Sequence, residues 1–99
     1  MPWYVLKHSP ADVKADRGSA LLVEFAKAQM QHPHVVDAAI YDQAAADGGA
    51  IYYFSPSAVQ IFAVPLLEMG AAECDVPVQA HGMDLVFGDP NKAQKLADE

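Results

Sequence analysis

The chain has 99 residues, 53% apolar and 19% charged, with thirteen acids against six bases and a formal charge of −7. The bases (Lys7, Lys14, Arg17, Lys27, Lys92 and Lys95) are spread thinly. That disfavours nucleic acid and anionic membrane, which are held by clustered cations. A lone cysteine, Cys74, excludes an internal disulfide and fits a reducing compartment.

One domain over 1–99 is expected, because chains of this size hold one core. The start "MPWYVLKHS" lacks the features of a signal peptide. The longest apolar run, "IFAVPLL", is too short to span a bilayer. A soluble cytoplasmic protein is expected. The apolar share exceeds what a small surface needs, so part of it is expected in an interface.

"WYVLKH" (3–8) is rich in aromatic and β-branched residues and predicts a first strand. Residues 9–31 predict a helix that breaks near Gly18, with Ser19 able to cap a fresh start. Leu21, Leu22, Phe25, Ala26 and Met30 share one side at about 100° per residue. Pro33 stops the helix. "HVVDAAIYD" (34–42) predicts a second strand. Asp47-Gly48-Gly49 is a turn signal, and "AIYYF" (50–54) is the returning strand of a hairpin.

Residues 56–69 predict a second helix closed by Gly70. Ala58, Phe62, Leu66 and Met69 form its inner stripe, with Val64 and Leu67 opposite. Pro65 inside it removes one hydrogen bond and crowds the Ile61 carbonyl. Residues 72–79 predict a half-buried strand that Pro77 confines to a sheet edge. Residues 83–87 predict a short fifth strand and 89–99 a terminal helix. The order β-α-β-β-α-β predicts an α+β fold of the ferredoxin-like, split βαβ kind. It has an antiparallel sheet, both helices on one face, and a short C-terminal strand and helix appended.

Ser-Pro recurs at 9–10 and 55–56, each time after an apolar run. Serine is a good N-cap and proline is favoured just after it. No glycine flanks either serine, so neither phosphate cradle nor nucleophile elbow is indicated.

His32, His34 and Asp37 offer metal-ligand types, but a metal site needs a third and usually a fourth ligand, which His8, His81 or Asp84 could supply only if the fold brings them near, so no metal site and no cofactor is assigned. Cys74 falls on the apolar side of its strand, beside acids that oppose thiolate formation. Pro2 and the strand after it resemble the start of a tautomerase family in which an amino-terminal proline is the general base. With Met1 in place, the Pro2 nitrogen is an amide and cannot fill that role.

Alternation places Tyr53 opposite to Tyr52 and Phe54 in facing. One set packs under helices, and the other faces solvent, a ligand or a second subunit. The leading expectation is a non-catalytic module that forms a homodimer and binds a small organic ligand or a protein partner. Tyr4, Tyr41, Tyr52 or Tyr53, or else Val64 and Leu67, would form that surface. The alternative is a small isomerase, tautomerase or cyclase with a dimer-formed pocket. It would use His8, Asp37, Tyr53 and His81 for proton transfer. A third reading is an acidic inhibitor or immunity-type protein. It requires Asp12, Asp16, Asp42, Asp47, Glu73 and Asp75 on one surface.

Overall fold

The computed structural model describes residues 2–77 and the backbone of 83–87. The elements are β1 (Trp3–His8), α1 (Pro10–Lys14), α2 (Arg17–Gln31), β2 (Ile40–Ala44), β3 (Ala50–Phe54), α3 (Pro56–Glu68), β4 (Ala72–Cys74) and β5 (Met83–Phe87). The fold is α+β, with one open antiparallel sheet in the order β4-β1-β3-β2-β5. The helix expected at 89–99 lies outside the described residues, as does His81.

The register divides the sheet into two faces. Tyr4, Leu6, His8, Ile40, Asp42, Tyr52 and Phe54 share one. Leu21 and Phe25 of α2, with Ala58, Val59, Phe62 and Leu66 of α3, pack with Leu6, Ile40, Tyr52 and Phe54 of that face into the main core. Trp3 and Tyr41, with the half-buried Tyr53 and Cys74, form a second cluster on the other face. The predicted alternation of Tyr52 and Phe54 against Tyr53 therefore underlies two separate apolar layers.

The helix expected over 9–31 is two helices. The break falls at Asp16, which takes left-handed φ 59° and ψ 37°, not at Gly18. Aspartate tolerates that region better than most residues because its side chain bonds locally. The Ser19 hydroxyl donates to Asp16 Oδ1 at 2.8 Å. It therefore ties the turn rather than capping α2. Met30, placed on the inner side by periodicity, is 80% exposed, because α2 runs past the core at its last turn.

Both Ser-Pro helix starts are capped. Ser9 Oγ accepts from the Asp12 N–H, and Asp12 accepts from the Ser9 N–H, a capping box. Ser55 Oγ accepts from the Ala58 N–H at 3.3 Å and also from the Ala39 N–H at 2.9 Å. The Ser55 N–H in turn donates to the Ala39 carbonyl.

Strand β2 starts at Ile40, not His34. Val35, Ala38 and Ala39 are buried without joining the ladder. The Gln29 amide donates to the Val35 carbonyl, the Val35 N–H to the His32 carbonyl, and Ser55 holds Ala39. Burial and side-chain capping satisfy this segment in place of strand pairing.

In α3 the backbone of Phe62 leaves the helical region at φ −133°, ψ 17°. The φ of Phe62 is one of the torsions that swing the Ile61 carbonyl, the group that Pro65 crowds. Gly70 follows the helix at φ 86°, the left-handed end for which glycine is suited. Strand β4 is shorter than expected, three residues ending at Cys74, and it lies at the sheet edge.

Candidate functional site

The register fixes two ends of the sheet. Tyr4, Phe54 and Ile40 align at one, and His8, Ala50 and Ala44 at the other. At the second end a cleft of about 540 Å³ opens between the start of α2 and the β2–β3 hairpin. That size suits a small organic molecule. Asp16, Gly18, Ser19 and Leu22 form the helical wall. Asp42, Gln43, Ala44 and the Gly48–Ala50 segment form the hairpin wall, with Tyr52 between them.

Each side chain is placed by a local cause. The left-handed turn at Asp16 ends α1 and starts α2 alongside the sheet. The period of two in β2 and β3 puts Asp42 directly opposite Tyr52, on the helix face. Gly18 lets the two layers meet: a Cβ there would collide with the Tyr52 hydroxyl oxygen, and the ring Cζ would be 3.4 Å away.

Tyr52 is 8% exposed, and its hydroxyl makes no hydrogen bond among the described residues. The His8 ring meets the Tyr52 ring edge-on, with centroids 5.0 Å apart. Burial pushes the Tyr52 phenol above its ordinary 10.0, and the nearby Asp42 and Asp16 carboxylates push it further. At neutral pH the cleft therefore presents an intact O–H between acids. His8 Nδ1 is buried without a partner, on the side of the sheet that carries Tyr52.

The other residues named from sequence are dispersed. Asp37 is exposed in the segment before β2, toward the opposite end of the sheet from His8. Tyr53 lies on the far face, between Val5 and Tyr41. His8, Asp37 and Tyr53 thus share no pocket, and His81 falls outside the described residues. Tyr4 and Tyr52 face the helices, whereas Tyr41 is buried beside Trp3. The four tyrosines offered as alternative surface residues are thus divided between the two faces, Tyr4 and Tyr52 on one and Tyr41 and Tyr53 on the other. Val64 and Leu67 are exposed on the outer side of α3, at 66% and 62%.

The rings of His32 and His34 lie 6.1 Å apart. Among the described residues no cluster of three metal-ligating side chains forms. A second groove of about 570 Å³ runs along the β4 edge past Pro2, Trp3 and Cys74. Burial raises the Cys74 thiol above its ordinary 9.0, and Asp75 adds to the rise. The Cys74 thiol that faces that groove is therefore not activated as a nucleophile. Among the described residues, no helix is long and apolar enough to cross a membrane.

Asp16, Gly18, Ser19 and Asp42 went unrecognised as a group from sequence. Asp16 and Ser19 carried a local signal, an acid three residues before a serine at a helix start. Asp42 carried none, because only the hairpin register brings it to α2. No protein-family model matches the chain, and no curated protein or solved structure is significantly similar to it.

Proposed function

We propose that this chain is a non-catalytic binding module that takes a small organic ligand in the cleft between α2 and the β2–β3 hairpin. One observation carries the reading. Tyr52 is 8% exposed as a residue, it lines the cleft, and its hydroxyl has no hydrogen-bond partner among the described residues. A ligand that bonds this hydroxyl gains about the worth of one hydrogen bond. Of the described side chains named for proton transfer (His8, Asp37 and Tyr53), His8 alone packs against a cleft residue, Tyr52, so binding is favoured over isomerase-type chemistry.

The frame of this module is the split βαβ, ferredoxin-like arrangement, a reading supported by the interleaved strands β4-β1-β3-β2. Self-association as a two-fold dimer is proposed through the outer side of α3. Val64 and Leu67 are one helical step apart there, and both are exposed. A free, unactivated thiol at Cys74 fits residence in the cytoplasm.

The test is amide chemical-shift mapping with a fragment library of mixed charge. Hits should move the amides of Gly18, Ser19, Gln43 and Gly48. Tyr52→Phe should weaken them about threefold to tenfold, the worth of one hydrogen bond. A library that leaves those amides unmoved at millimolar concentration overturns the reading. Sedimentation equilibrium tests the dimer. Val64→Glu should raise the dissociation constant, and a wild-type monomer at high micromolar concentration refutes self-association.

A further inference from the structure

We infer that two copies of this chain meet α3 against α3, antiparallel, with Val64 on the two-fold axis and Gln60 of each copy bonded to the partner's Glu68. The inference rests on the self-association proposed above and supplies its register.

The first support is the absence of charge where a surface helix normally carries it. No charged residue lies between Asp47 and Glu68. Strand β3 needs none, because it lies inside the sheet between β1 and β2. Helix α3 has an open side, on which Gln60, Val64, Leu67 and Glu68 are exposed and Ile61 is half-buried. Helix α2 is the contrast, since its exposed residues include Arg17, Glu24 and Lys27. The chain as a whole carries −7, so two copies repel through most faces they could present. On the open side of α3 that repulsion is small. A basic partner would find one carboxylate there, and an anionic membrane would find no cation.

The second support is the order of residues on that side. Val64 is its midpoint. Ile61 stands three residues before Val64 and Leu67 three after, and Gln60 stands four before and Glu68 four after. An antiparallel pair about a two-fold at Val64 therefore sets Ile61 against the partner's Leu67 and Gln60 against the partner's Glu68. Each contact occurs twice, as an isologous interface requires. The chemistry agrees with the register, because the Gln60 amide donates and an ionised carboxylate only accepts. The two Glu68 carboxylates then lie about 12 Å apart along the helix axes, beyond a Debye length at physiological salt. A parallel pairing would place them side by side. The backbone bend at Phe62 leaves Gln60, Val64, Leu67 and Glu68 exposed together, so the order survives it. One short helix per copy is a small interface, so a micromolar dissociation constant is expected.

The test uses the full chain with Cys74→Ser as background, so that an introduced thiol has no competitor. Under copper–phenanthroline oxidation, Val64→Cys should cross-link to its own copy, because the axis passes through it. Gln60→Cys and Glu68→Cys should each cross-link poorly alone and well when mixed. These positions are exposed, and urea midpoints check that each variant folds. Sedimentation equilibrium supplies the second readout. Gln60→Lys should tighten the dimer about threefold to tenfold through two exposed ion pairs. That gain should vanish when Glu68→Gln is added. The register is overturned, while self-association stands, if Val64→Cys fails to cross-link in a dimeric protein or Gln60→Cys cross-links to itself. A gain from Gln60→Lys that survives Glu68→Gln overturns it equally. A wild-type monomer at high micromolar concentration overturns both. If that monomer binds phosphatidylcholine vesicles and Val64→Glu abolishes the binding, the face belongs to a lipid surface instead.

Discussion

Ser55 is expected to cost far more to remove than an ordinary helix cap. A capping serine replaced by alanine loses about 1 kcal/mol. Ser55 does two jobs with one oxygen, which accepts from Ala58 of α3 and from Ala39 of the segment before β2. Ser55 itself is 0% exposed, and Ala39 is buried, so water cannot take over. The orphaned Ala39 N–H adds about 1–3 kcal/mol. Ser55→Ala should therefore destabilise by about 2–4 kcal/mol, a large part of the 5–15 kcal/mol that holds a typical domain. Ser9→Ala is the internal control, because Ser9 caps α1 in an exposed setting and should lose only the cap. The assay is urea unfolding followed by far-ultraviolet circular dichroism, with midpoints compared at equal slope. Amide hydrogen exchange at Ala39 should accelerate in Ser55→Ala alone. Equal losses in the two variants, or a protected Ala39 amide in Ser55→Ala, would refute the double role.

Gly18→Ala should destabilise despite the better helix propensity of alanine, because its Cβ meets the Tyr52 hydroxyl. Adding Tyr52→Phe should recover the loss, with a coupling of about 1–2 kcal/mol in a double-mutant cycle; additive costs would contradict the contact. The raised Tyr52 phenol means that the folded state holds this proton more tightly than the unfolded chain. The associated stability is complete below pH 10.0 and is lost as pH rises through the ordinary value toward the folded one. Urea midpoints should accordingly fall less steeply in alkali for Tyr52→Phe than for wild type. Cys74, with its thiol held above the ordinary value, should react with a disulfide reagent much more slowly in the native protein than in urea. Equal rates would contradict its burial.

Much of the frame was legible because it rests on local causes. Aromatic and β-branched residues in 3–8 and the turn signal before 50–54 located two strands. Serine before proline located two helix starts, and Gly70 located a helix end. Residues 34–39 were misread because their apolar character serves burial rather than pairing. The groups that replace the ladder there are the Gln29 side chain, on the preceding helix, and Ser55, 16 residues beyond Ala39. A break near Gly18 was expected in the first helical stretch. The chain turns at Asp16 instead, where a side-chain bond to Ser19 holds the left-handed backbone. Gly18 is spent on close approach. Tyr52 stood among the candidates, yet the cleft around it did not, because Asp42 and Asp16 meet it only through hairpin register and helix docking.

The sheet order also sets a timetable. The β2–β3 hairpin joins neighbours in sequence, whereas β4 reaches β1 by pairing Trp3 with Cys74, across nearly the whole described chain. Long-range pairings pay their loop-closure entropy before any contact rewards them. The hairpin and its helices should therefore assemble first, with the β4 edge arriving last. The protein carries its own clock for this, because Trp3 is the sole tryptophan and packs in the cluster that includes Cys74. In stopped-flow refolding its emission should reach the native value after the far-ultraviolet signal is complete. A ligand in the cleft, which contacts the opposite face, should leave that emission unmoved.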